Sequence, residues 1–190
     1  ALVRPNFETI ASRRLRGHLC GDPFNTGFLA SHMTEIDTVL QLVGTLKPAP
    51  WKEDQFRAID RVSGLASIQA ARQADAEHLV YVSVAHPAPI MKDYIAVRRE
   101  CEAALYETAL RATIVRPWYI LGPGHWWPLL LKPGYWICEQ LPSTRAAAAR
   151  LGLVTISQML RALIWAIENP PESIKILDVL AIRIIGNDPL

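Results

Sequence analysis

Two hydrophobic periods alternate along this chain. Runs of consecutive aliphatic and β-branched residues stand at "IDTVLQLVG", "HLVYVSV", "ATIVRP" and "SIKILDV". Such runs, without polar alternation, predict strands buried on both faces. Ala1 to Arg4 reads as a further short strand stopped by Pro5, Gly17 to Cys20 as another, and "AIRII" as the last. Between the runs the spacing becomes helical. From Trp51 to Asp75, Phe56, Ile59, Ser63, Ala66 and Ala70 share one face. A second helix is predicted from Lys92 to Ala109. A third lies in "TISQMLRALIWAIEN", with Thr155 as its N-cap. Shorter helices are predicted over "FETIASRRLR" and "PFNTGFLASHM". Proline-punctuated loops stand at "TLKPAPW" and "AHPAP".

Buried strands alternating with amphipathic helices define an α/β chain, a parallel sheet with helices on both sides. The expectation is one domain over residues 1–190, with an irregular, aromatic and proline-rich region at about 118–150. Composition narrows the function. The chain has 190 residues, 51% of hydrophobic type, with 20 basic and 18 acidic side chains. So even a balance argues against nucleic-acid binding. The three cysteines, Cys20, Cys101 and Cys138, lack metal-ligand or redox spacing and read as reduced thiols of a cytoplasmic protein. The five histidines form no HExxH-type arrangement, so no metal site is expected. No apolar run approaches the ~20 residues of a membrane span.

In an open parallel sheet, ligands sit beyond the C-terminal strand ends. Those ends carry Arg4, "GDP", "QLVG", Ser83 and Arg116–Pro117. After Ser83 comes a loop, then Tyr94 and Arg98, four positions apart and so on one helix face. A guanidinium beside a phenol favours the phenolate, which would ease proton exchange at Tyr94. Ser83 could hydrogen-bond a substrate oxygen. The same pair is also what packing plus a solvated charge produces.

These residues resemble a family. "VYVSV", "DYIAVRRECEAAL" and "ATIVRPWYILGPG" together look like the short-chain dehydrogenase/reductase superfamily, most like its extended or atypical, epimerase/dehydratase-like branch. The likeness implies a Rossmann-like sheet and an NAD or NADP cofactor. It implies Ser83, Tyr94 and Arg98 as the catalytic set. "CGDPF" resembles the motif that contacts adenine, which places Asp22 there. "LQLVG" resembles the segment lining the adenine ribose, which gives Leu42, Val43 and Gly44. "TIVRPWYILGPG" resembles the segment that meets the nicotinamide, which gives Pro117, Trp118, Tyr119 and Ile120. "IDRVSGLASIQAA" resembles the family helix with an Asn-Val-x-Gly-Thr pattern, and Asp60 stands where Asn is usual.

Two further departures bear on function. The family pair is Tyr-x-x-x-Lys, and here the fourth position is Arg98. Arginine keeps the charge but is a larger planar fork. The family also opens with a strand and a glycine-rich turn that cradles pyrophosphate at a helix N-terminus. Nothing in Ala1 to Cys20 has that pattern. The expectation is a Rossmann-like sheet whose first strand is missing, with weak cofactor binding as a consequence. Arg4 falls where related proteins place a base for the ribose 2′-phosphate, which hints at NADP over NAD. Trp126, Trp127 and Trp136 fit core packing, a lid over a substrate, or an interface. Three function classes remain open: an NAD(P)-dependent oxidoreductase or epimerase acting on a hydroxyl or carbonyl of a small molecule, a non-catalytic cofactor-binding accessory or redox-sensing protein, and a partial chain without cofactor function.

Overall fold

A computed structural model of the chain describes residues 2–3 (backbone only), 19–122 and 150–187. Eight strands appear among them: β1 (Leu2–Val3), β2 (Leu19–Cys20), β3 (Thr38–Gln41), β4 (His78–Val82), β5 (Arg111–Val115), β6 (Tyr119–Leu121), β7 (Leu153–Thr155) and β8 (Ile174–Leu177). Five helical segments accompany them. These are α1 (Thr26–Ser31), α2 (residues 53–73), α3 (Lys92–Tyr106), α4 (Ile156–Glu168) and α5 (Val179–Asn187). The central sheet is parallel throughout, in the order β3-β4-β5-β8. β1 pairs with β2, and β6 with β7, as separate two-stranded parallel sheets. The fold is therefore α/β with a Rossmann-like parallel sheet and flanking helices.

The continuous apolar runs form the two inner strands, β4 and β5, because both of their faces are covered. On β4, Leu79 and Tyr81 point to one face and pack with Ile68, Ala71, Cys101 and Leu105 of α2 and α3. Val80 points the other way, into Met159, Ala162, Leu163 and Ile182 of α4 and α5. β5 repeats this, with Ala112 and Ile114 on the first face and Val115 on the second. Each such side chain, fully buried, contributes roughly 1.5–3 kcal/mol. The core thus has two layers with the sheet between them.

Several local readings change. "AIRII" is not a strand but part of α5. Val179, Ile182 and Gly186 are its buried positions, a helical spacing, and the Asp178 carboxylate accepts the Ala181 backbone N–H at 2.8 Å. The strand expected from Ile36 to Gly44 is confined to Thr38–Gln41. The helix expected from Trp51 to Asp75 contains a π-helical stretch, Phe56–Arg61, between Glu53–Gln55 and Val62–Gln73. Thr155 does cap α4. Its hydroxyl accepts the Gln158 N–H at 3.1 Å and Gln158 Oε1 accepts the Thr155 N–H at 2.9 Å, a capping box. β6 and β7 are short strands that the sequence pattern does not announce. The helix expected over "FETIASRRLR", and Trp126, Trp127 and Trp136, lie outside the described residues. No described helix is long and apolar enough to cross a membrane.

Candidate functional site

The C-terminal ends of β4 and β5 are zipped together beyond the strands. The Ser83 N–H donates to the Val115 carbonyl at 2.8 Å, and the Ala85 N–H to the Pro117 carbonyl at 2.8 Å. Ser83 and Pro117 are therefore neighbours, as sequence reading expected of a site at this edge. α3 brings Tyr94 and Arg98 to the same edge. Arg98 Nη1 donates to the Val82 carbonyl at 2.9 Å and to the Tyr81 hydroxyl at 3.3 Å. Its guanidinium carbon lies 5.2 Å from the centroid of the Tyr94 ring and 5.7 Å from that of Tyr81. Phe56 meets Tyr94 at a tilt, with 4.9 Å between centroids.

Arg98 is buried, with 5% of its surface exposed, and a buried cation needs an opposite charge. Asp60, fully buried in the π-helical stretch, supplies it. Its Oδ1 accepts Arg98 Nη2 at 2.5 Å. Its Oδ2 accepts the Thr45 hydroxyl at 2.5 Å and the Thr45 N–H at 3.0 Å. The ion pair thus ties the turn after β3 to α2 and α3. Gly44 lies directly against it. A Cβ placed there would stand 2.6 Å from Arg98 Nη2 and 2.9 Å from Asp60 Oδ1.

Electrostatics follow from burial. Desolvation pushes the Tyr94 phenol above its ordinary range, Arg98 pulls it down and Asp60 pushes it up again, so it stays raised. Arg98 does draw this phenol towards the phenolate, as expected, but burial outweighs the cation and Asp60 opposes it. Tyr81 is raised well above its usual value by the same burial. Burial would lower the Arg98 pKa, but Tyr94, Tyr81 and Asp60 hold the guanidinium charged and raise it.

A second cluster adjoins this one, and sequence reading did not find it. Arg116 grips Glu102 with two hydrogen bonds, Nε to Oε1 at 2.9 Å and Nη2 to Oε2 at 2.6 Å. His86 Nε2 lies 3.3 Å from Glu102 Oε2. Burial works to raise the Glu102 carboxyl. Arg116, the nearby Ser83 hydroxyl and His86 outweigh it and hold the group below its usual range. Among the described residues, two buried polar atoms at this edge, Ser83 Oγ and Arg98 Nε, make no hydrogen bond of ordinary geometry, although the Ser83 hydroxyl lies close enough to Glu102 to help hold its carboxylate. Buried polar groups are nearly always paired, and water or a bound ligand is the ordinary way to complete such atoms.

The remaining expected residues separate into two groups. Leu42 and Val43 line a hollow of about 820 Å³ together with Leu19, Pro23, Phe28 and Met33, alongside β3. Asp22 sits at the end of β2, and its carboxylate accepts the Phe24 N–H at 3.0 Å, which fixes the turn. Trp118 and Ile120 pack against the core of α4 and α5, and the Trp118 and Tyr119 rings meet edge-on at 5.6 Å. Arg4 lies outside the described residues. Asp60 had one legible sign, an acidic residue on the apolar face between Phe56 and Ser63. Among the described residues no group of three or more His, Cys, Asp or Glu side chains is placed to hold a metal ion.

No protein-family model matches the chain, and no curated relative matches it in sequence. Solved structures do match. The Bordetella bronchiseptica enzyme WbmH in complex with NAD+ superposes with a TM-score of 0.63 at 17% identity, over 93% of this chain and 66% of that one. UDP-N-acetylglucosamine 4-epimerase from Bacillus cereus gives 0.61 at 13% identity, over 84% and 63%. A double mutant of DesIV, the dTDP-glucose 4,6-dehydratase of Streptomyces venezuelae, crystallised with NAD, gives 0.62 at 14%, over 94% and 64%. The chain therefore spans just under two thirds of the length of these structures and shares their Rossmann-like fold.

Proposed function

We propose that this chain is the cofactor-binding part of an NAD(P)-dependent oxidoreductase of epimerase/dehydratase type, acting at a hydroxyl or carbonyl of a small molecule. The observation that supports the reading is the meeting of Ser83, Tyr94 and Arg98 at the C-terminal edge of a parallel sheet. A bound nicotinamide cofactor would supply hydride acceptance or donation. The chain's own residues do the rest. Gly44, Leu42 and Val43 line the ribose side, and Asp22 sits on the adenine side. Pro117 to Ile120 face the nicotinamide. Ser83 orients a substrate oxygen, and Tyr94 presents its hydroxyl to the same atom. Arg4 receives a ribose 2′-phosphate, which favours NADP. A cytoplasmic setting belongs to the same reading.

The test is amide-resolved NMR of the chain at millimolar NAD+ and NADP+. Shifts clustered at Gly44, Ser83 and the start of α3 support the proposal; no shift there with either cofactor overturns it. Replacing Arg4 by Ala should weaken NADP+ more than NAD+, and calorimetry showing equal loss removes that part. A second reading, a cofactor binder without turnover, is favoured by the matched charge of Arg98. Hydride transfer to a panel of nucleotide sugars, followed at 340 nm, separates the two.

A further inference from the structure

Two departures from the resembled pattern meet in space. Arg98 stands where Lys is expected, and Asp60 where Asn is expected. Their side chains are bonded, Nη2 to Oδ1, at 2.5 Å. An Asn with a Lys carries one net charge; an Asp with an Arg carries none. Either ion alone would be costly in this buried place, and together they are tolerable. The π-helical stretch Phe56–Arg61 supplies both contacts, since Phe56 meets Tyr94 and Asp60 pairs with Arg98. π turns inside helices widen the spiral and often mark functional sites.

We propose that Asp60 is a positioning residue for Tyr94: it takes up the charge of Arg98, fastens it to the Gly44–Thr45 turn, and thereby keeps Tyr94 a hydrogen-bond donor to a ligand oxygen. The inference rests on the reading of Tyr94 as a site residue. The charged groups that act on the phenol are Arg98 on α3 and Asp60 on α2; Tyr81 on β4 and Cys101 on α3 interact with Arg98 and with each other. Asp60 and Arg98 form an ion pair. Both oxygens of Asp60 are engaged, and Arg98 makes three hydrogen bonds besides its orphan Nε. The pair therefore behaves as one neutral unit, and what Tyr94 meets is a dipole with its carboxylate turned towards Thr45.

The experiment titrates Tyr94 in the cofactor-free chain labelled with [ζ-¹³C]tyrosine. The Tyr94 resonance is assigned by its loss in Tyr94→Phe. In the wild type the midpoint lies above the ordinary phenol value of ~10. In Asp60→Asn it moves to lower pH, because the guanidinium is then uncompensated. In the double variant Asp60→Asn with Arg98→Lys it also falls, for the same reason. An unchanged midpoint in either folded variant overturns the proposal. Should neither variant fold, Asp60→Ser is titrated in their place: a midpoint below that of the wild type supports the proposal and an unchanged one overturns it. Because no cofactor is present, failure here is distinct from failure of NAD(P) binding, which the amide shifts report separately.

Discussion

Gly44→Ala tests whether the turn after β3 really closes on the ion pair. The new Cβ would sit 2.6 Å from Arg98 Nη2 and 2.9 Å from Asp60 Oδ1. Ordinary carbon–nitrogen contact needs about 3.5 Å, so the guanidinium would have to retreat by close to an ångström. It is not free to do so. Its Nη2 is held by Asp60 at 2.5 Å, and its Nη1 by the Val82 carbonyl at 2.9 Å and the Tyr81 hydroxyl at 3.3 Å. Overpacking of this kind costs about 1–3 kcal/mol, and a ruptured buried pair about 3–5 kcal/mol. A value near 2 kcal/mol is expected, because the turn can share the displacement. For a chain of this size that lowers the thermal midpoint by about 4–8 °C. Calorimetry and urea unfolding measure it. Gly27→Ala is the control, since its Cβ would meet nothing nearer than Asn25 Oδ1 at 3.6 Å within α1. It should be neutral or slightly stabilising, because alanine favours helix. A Gly44→Ala midpoint within 1 °C of wild type (~0.3 kcal/mol) would refute the close approach.

Thr155→Ala removes the hydroxyl half of the capping box of α4, leaving the Gln158 side chain on the backbone N–H of residue 155, and should cost about 1 kcal/mol, a fall of roughly 2–4 °C in thermal midpoint; an unchanged midpoint would mean the cap is replaced by solvent without loss. His78 lies buried between the Thr38 and Thr113 hydroxyls, at 3.4 and 3.0 Å, and burial, with Arg111 adding to it, lowers its pKa. The unfolded chain therefore binds the proton first, so stability should fall as pH drops below ~6.5, and His78→Asn should flatten that slope in a series of urea titrations. With a working substrate, Tyr94→Phe should lower kcat by ~10²–10⁴-fold; an unchanged kcat removes Tyr94 from the chemistry.

The central sheet was legible because a strand covered on both faces cannot alternate, and the runs at β4 and β5 do not; β3 and β8, at the sheet edges, are only partly covered. α5 was not, because "AIRII" is apolar enough to suit either period. Its deciding signals were small: Asp178 as a cap and burial at Val179, Ile182 and Gly186. β6 and β7 are three residues each and exist through pairing with each other, a non-local contact that no local pattern carries. The site divides along the same line. Tyr94 and Arg98 were legible as one helix face, since their spacing is local. The net shift of the phenol was not, since it depends on how much water Phe56, Tyr81 and the turn at Gly44 exclude. Asp60 shows where the boundary falls. An acidic residue on an apolar helix face demands a partner, and an arginine in place of a lysine offers one, yet each departure read singly suggests only lost function. Read as a pair they have a physical reason, because a buried carboxylate and a buried guanidinium are each unfavourable alone and satisfy one another at 2.5 Å.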